Sequence, residues 1–126
     1  MDKVDYYYNN FHLLGIQGMQ KNTISAILKR AKYFNSIRDN NKKNNLLKDN
    51  LLINFFFEES AATKSSFKRA AKLMSADILD LSVSPLSEKK NETLIDIAGS
   101  INAMHPDFLI LRHPISGTAE ILSKHV

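Results

Sequence analysis

Ser60, Thr63 and Lys64 stand within one short stretch, Phe56-Phe57-Glu58-Glu59-Ser60-Ala61-Ala62-Thr63-Lys64-Ser65-Ser66-Phe67, which reads as a strand passing through a polar turn into a helix. A helix that starts at such a turn presents backbone N–H donors and the positive end of its dipole, which suit a phosphate group, and hydroxyls and cationic side chains complete the cradle. A further cation, Arg112 of Arg112-His113-Pro114, follows another apolar run and can offer a planar bidentate fork. The chemistry open to these residue types is the holding of an anion and the stabilisation of charge that develops on it.

These residues need a scaffold, and the chain is long enough for one. Its 126 residues suffice for a single domain with a real core and are too few for two ordinary domains. An apolar share of 44% and a charged share of 24% are those of a soluble globular protein. The longest apolar runs, such as Leu51 to Phe57, are far too short to span a bilayer. The start, Met1-Asp2-Lys3-Val4-Asp5 followed by Tyr6-Tyr7-Tyr8-Asn9-Asn10, lacks the apolar core of a leader, so a cytoplasmic location and no membrane partner are expected. With no cysteine, and with His12, His105, His113 and His125 at no ligand spacing, no metal site is expected either. The net charge of +4 could signal nucleic acid, but the basic residues do not cluster with aromatics and read as a solvated surface, so no nucleic-acid partner is expected.

Helices and strands alternate along the chain. Asn22 can cap a helix reaching about Ile37, with Ile24, Ile27, Leu28, Ala31 and Phe34 on one buried face. The polar stretch from Arg38 to Asp49 reads as an exposed connection. Leu51 to Phe57 is apolar nearly throughout, as befits a central parallel strand covered on both sides. Phe67, Ala70, Ala71 and Met74 repeat at helical spacing, and Ile78-Leu79-Asp80-Leu81 gives a second strand. After a polar loop from Ser82 to Asn91, a helix opening near Thr93 turns Leu94, Ile97, Ala98 and Ile101 inward. Phe108 to Leu111 is the third strand, and a short helix from about Thr118 to Lys124 closes the chain. The order implies an α/β fold: three layers, a parallel sheet built from βαβ units with right-handed crossovers, and helices on both faces. Ligands of open parallel sheets bind beyond the carboxyl ends of the strands, which selects the turns after Phe57, Leu81 and Leu111.

All three turns carry a family resemblance. The first resembles the phosphate-binding turn of the aspartate/ornithine carbamoyltransferases, written Phe-Phe-Glu, any residue, Ser-Thr-Arg-Thr-Arg, any residue, Ser-Phe. Here Ala61-Ala62 replaces the first Thr-Arg and Lys64 replaces the second Arg. Ser87-Glu88-Lys89-Lys90-Asn91-Glu92-Thr93-Leu94-Ile95-Asp96 is similar to the family's Ser, two residues, Lys-Gly-Glu-Thr-Leu, any residue, Asp, and Arg112-His113-Pro114 to its Arg-His-Pro. These segments, with His12-Leu13-Leu14-Gly15-Ile16, favour the aspartate enzymes over the ornithine ones. The resemblance runs from about His12 to the end of the chain.

The resemblance implies that residues 1–126 form the carbamoyl-phosphate-binding domain and that the family's aspartate-binding domain is absent. It implies a carbamoyl group passed from carbamoyl phosphate to the amine of aspartate, in pyrimidine synthesis, with no cofactor. Catalysis then rests on alignment of two substrates and on charge stabilisation. Ser60, Thr63 and Arg112 would hold carbamoyl phosphate, with Arg112 catalytic. Ser87 and Lys90 would reach into a neighbouring subunit of a homotrimer; read alone they belong to a solvated loop. Ala61, Ala62 and Lys64 are degenerate positions. An alanine in place of the family's arginine removes a charge-assisted hydrogen bond worth about 1.5–3 kcal/mol, and loss of one transition-state donor slows turnover by roughly 100- to 1,000-fold. Glu58, a bridge to the second domain in the family, is left as a solvated acid, His113 reads as a turn-packing residue, and Gly117 as turn chemistry. The expectation is a chain that does not transfer a carbamoyl group alone. The alternatives are a scaffold that assembles with active carbamoyltransferase chains and a decaying fragment.

Overall fold

The computed structural model describes residues 12–37, 42–57, 60–82 and 93–126, and the chain divides into two compact units, residues 1–42 and 43–126.

The first unit contains one described helix, α1, Lys21–Ile37. Its apolar stripe is the one that the spacing predicts, yet no residue of α1 is buried, and Ile27 and Leu28 are exposed. Periodicity specifies the helix, whereas enclosure of the stripe needs a packing surface that the described residues of this unit do not supply. Arg30 lies over the rings of Tyr33 and Phe34, 5.1 and 4.8 Å from their centroids, and shields part of that face.

The second unit is built on a parallel sheet of three strands, β1 (Leu51–Phe56), β2 (Asp77–Ser82) and β3 (Phe108–Arg112), in the order β2-β1-β3. β1 is central, and Leu52 to Phe56 are all buried, as an apolar run covered on both faces should be. Register pairs Asn54 with Asp80 on one side and with Ile110 on the other. Alternation along β1 sends Ile53 and Phe55 to one face and Leu52, Asn54 and Phe56 to the opposite one.

On the first face, Ile53 and Phe55 pack with Ile101 of α3 (Leu94–Asn102), joined at the margin by Ile97, Leu109, Leu111 and Val126. Full burial of such side chains contributes roughly 1.5–3 kcal/mol each. α4 (Thr118–Leu122) packs beside α3 and buries Thr118 and Leu122. On the second face α2 (Ala61–Leu73) lies over β1 and β2, meeting the sheet through Ala71, which is fully buried, while Phe67 stays largely exposed. Helices therefore cover both faces, and the three-layer α/β architecture implied by the alternation of elements is the one observed.

Local chemistry fixes the ends of these elements. Thr93 and Asp96 form a reciprocal capping box at the head of α3. The N–H groups of Asn44 and Leu47 donate to the carbonyls of Leu73 and Met74, at 2.8 and 2.9 Å, so the polar segment before β1 satisfies the last turn of α2. Asp107 accepts from the N–H of Leu51 at 2.8 Å, while its own N–H donates to the Leu51 carbonyl, which aligns the starts of β1 and β3.

Candidate functional site

The chain leaves β1 for α2 on one face of the sheet and leaves β3 for α4 on the other. The carboxyl ends of β1 and β3 therefore diverge, and this switch point is the crevice in which open α/β sheets accept ligands. The two strands remain joined just beyond the sheet, where the N–H of Phe57 donates to the Arg112 carbonyl at 3.0 Å.

Three of the residues singled out in the sequence meet there. Arg112 Nη1 donates to Ser60 Oγ at 3.0 Å and lies 3.4 Å from Thr63 Oγ1, and Ser60 Oγ donates to Thr63 Oγ1 at 3.0 Å. Ser60 is the N-cap residue of α2, but its side chain makes no capping bond because it is turned to Thr63 and Arg112. The first N–H groups of the helix, which have no acceptor within it, are thus left facing outward beside a guanidinium and two hydroxyls. Such an arrangement can hold a tetrahedral oxyanion by backbone amides, hydroxyls and a bidentate cation.

Ala61 and Ala62 are the first two residues of α2 and are exposed, so their methyl groups add no donor to this crevice. Lys64 is half-buried one residue after Thr63. Ser87, Lys90 and Glu58 lie outside the described residues. His113 packs edge-on against Phe57 with ring centroids 4.1 Å apart. Its Nδ1 accepts from the N–H of Ile115 at 3.0 Å and lies 3.0 Å from the hydroxyl of buried Thr118. The imidazole thus locks the turn that carries the chain from Arg112 into α4. Gly117, at φ 83°, occupies the left-handed region on the same turn.

One group escapes a reading of spacing alone. Asp80 of β2 accepts from Asn54 Nδ2 at 3.1 Å and from Lys68 Nζ of α2 at 2.5 Å. The Lys68 hydrogen bond, helped by Asn54 and by the charges of Lys64 and Lys68 and opposed by partial burial, holds the Asp80 carboxyl below its ordinary range. Asn54 is fully buried in the central strand, and its Oδ1 has no hydrogen-bond partner. Only the register of β1 against β2 brings Asp80 to Asn54, and no sequence motif marks that pairing. Among the described residues no cluster of His, Cys, Asp and Glu could hold a metal ion, and no helix is long and apolar enough to cross a membrane.

Residues 12–126 match the family model described as aspartate/ornithine carbamoyltransferase, carbamoyl-P binding domain. The aspartate carbamoyltransferase catalytic subunit of Rhodospirillum rubrum is 43% identical over 120 residues, which is 94% of this chain and 38% of that one. That of Parvibaculum lavamentivorans is 47% identical over 116 residues, 91% of this chain and 36% of the relative. Among solved structures, the catalytic subunit of M. jannaschii aspartate transcarbamoylase superposes with a TM-score of 0.82 at 28% identity, covering 92% of this chain and 38% of that one. The aspartate transcarbamoylase of Trypanosoma cruzi in complex with carbamoyl aspartate and phosphate gives 0.79 at 26%, covering 90% and 35%. The chain therefore spans between 36% and 38% of the length of these curated relatives.

Proposed function

This chain belongs to the aspartate/ornithine carbamoyltransferase family and carries its carbamoyl-phosphate-binding domain, and from that premise we propose that the crevice between Ser60, Thr63 and Arg112 binds carbamoyl phosphate through its phosphate group. The observation that carries this reading is the convergence of Arg112 with Ser60 and Thr63 at the open head of α2. In the bound state the amides of the first turn and the two hydroxyls take the phosphate oxygens, and the Arg112 guanidinium spans the phosphate and the carbonyl oxygen.

In the transfer itself the neutral amine of aspartate attacks the carbamoyl carbon, the carbon–oxygen bond to phosphate breaks, and phosphate leaves with the bonding electrons and takes up the proton that the amine nitrogen gives up. Arg112 would stabilise both the carbonyl oxygen and the departing group, in a site already ordered by its bonds to Ser60 and Thr63. Residues 1–126 would supply the carbamoyl-phosphate half of this reaction. The chain alone is accordingly a binding domain of cytoplasmic pyrimidine synthesis that does not turn over by itself. Ser87 and Lys90 complete the site of a neighbouring subunit in a homotrimer.

Titration of inorganic phosphate and carbamoyl phosphate into the natural chain and into Arg112→Ala tests this reading. Binding that depends on Arg112 is expected, and binding that is absent, or indifferent to Arg112, would overturn it. A second reading is favoured by Ala61 and Ala62, which leave the first two residues of α2 without side-chain donors. Under it the chain is a scaffold that assembles with active carbamoyltransferase subunits. Binding only after Ala61→Thr and Ala62→Arg are introduced would select that reading.

A further inference from the structure

His113 follows Arg112 directly in the chain, and its ring reaches both sides of the turn that Arg112 opens. On one side it lies edge-on to Phe57 with ring centroids 4.1 Å apart, and the N–H of Phe57 donates to the Arg112 carbonyl at 3.0 Å. On the other side Nδ1 accepts from the N–H of Ile115 at 3.0 Å and stands 3.0 Å from Oγ1 of Thr118, the first residue of α4. The Thr118 hydroxyl donates in turn to the Ile115 carbonyl at 2.9 Å. Pro114 confines the backbone of His113 to the extended region. The backbone of Arg112 is thus held by a strand-to-strand bond on its carbonyl and by a turn closed on one imidazole nitrogen, while its guanidinium meets Ser60 and Thr63.

Two demands on position 113 can be told apart. Contact with Phe57 asks for a flat ring, whereas the Ile115 amide asks for an acceptor at the place of Nδ1. An Nδ1 that accepts from an amide carries no proton, so the neutral ring holds its hydrogen on Nε2. A guanidinium grips two oxygens only when its N–H groups are aligned with both, so its grip is sensitive to the backbone that carries it.

We propose that His113 is a positioning residue of the anion crevice: its unprotonated Nδ1 fixes the turn after β3 and with it the aim of Arg112 at an oxyanion held by Ser60 and Thr63. This inference rests on the reading of the crevice as an anion site, and it assigns the orientation of that site's cation to one nitrogen of the neighbouring residue.

Inorganic phosphate is titrated into the full chain and into His113→Asn, His113→Phe, His113→Leu and Arg112→Ala, with the urea midpoint of each measured alongside. Asparagine sets Oδ1 where Nδ1 stands and restores the acceptor without the ring; phenylalanine keeps the ring and turns a C–H toward the Ile115 amide. His113→Asn is expected to bind phosphate within about twofold of the natural chain even where its urea midpoint falls, and His113→Phe to bind about three- to tenfold more weakly, the equivalent of one neutral hydrogen bond. His113→Leu provides a second acceptor-free substitution if His113→Phe unfolds. The nitrogen chemical shifts of the neutral His113 ring are expected to place its proton on Nε2.

Arg112-dependent binding that survives His113→Asn and weakens in the acceptor-free variants supports the positioning role. Binding that follows the ring, kept by His113→Phe and lost by His113→Asn, overturns it in favour of packing and leaves the site intact. Binding that is unchanged in all three His113 variants, or weakened alike in all three, overturns it as well, and so does a proton on Nδ1. No binding in the natural chain, or binding indifferent to Arg112, removes the anion site and this inference with it.

Discussion

Arg112 Nη1 and Ser60 Oγ lie 3.0 Å apart across 52 residues of sequence. The bond joins the end of β3 to the cap of α2 and so closes the switch-point crevice from both sides. Arg112→Ala should therefore weaken phosphate by about 10- to 150-fold, the equivalent of one lost charge-assisted hydrogen bond. Arg112→Lys should fall between the two, since a lysine keeps the charge and loses the fork. Calorimetric titration of both variants measures this.

Ile53 is fully buried against Phe55 and Ile101. Ile53→Ala should destabilise the chain by about 2–5 kcal/mol, through lost transfer energy and the cavity left behind. The urea midpoint reports it, with the m-value unchanged.

Gly117 sits at φ 83°, and an added Cβ would meet no atom nearer than Glu120 Oε2 at 4.0 Å. The cost of Gly117→Ala is then conformational, about 1–2 kcal/mol. A fall in melting temperature without loss of the Phe57–His113 ring contact, seen in ring-current shifts, is the expected result.

Acid should loosen the fold through two carboxylates. Asp80 is held below its ordinary value of 3.8 mainly by the Lys68 hydrogen bond, and Asp96 by bonds from the Thr93 hydroxyl and N–H. A carboxyl lowered in the folded state contributes stability that is complete above the unfolded value and is lost as pH falls through the folded one. Melting temperature should thus hold near neutrality and decline below about pH 4. Asp80→Asn should flatten part of that decline.

Much of this architecture can be read without coordinates. β1 is legible because a strand covered on both faces has little room for polar residues, and the run from Leu51 to Phe57 admits only Asn54. α3 is legible because Thr93 and Asp96 mark its start and Ile97, Ala98 and Ile101 its inner face. Arg112, Ser60 and Thr63 could be nominated from two turns, because strand ends of a parallel sheet share one edge. The Asn54–Asp80–Lys68 chain could not, since it depends on the register of two strands and on the rotation of a helix above them. Nor could the exposure of Leu28, because a stripe of apolar residues reports a helix and says nothing of what encloses it.

The outward turn of the Ser60 side chain carries a consequence for how this crevice can change over evolutionary time. Because Ser60 points to Arg112 instead of capping α2, part of the affinity for an oxyanion resides in peptide groups that every residue except proline supplies. Substitution at positions 61 and 62, where Ala61 and Ala62 stand, alters the side-chain donors without touching that main-chain component. On the proposed reading, the crevice would therefore keep a main-chain minimum of anion affinity that ordinary substitution cannot erase, and on which specificity could be built one side chain at a time.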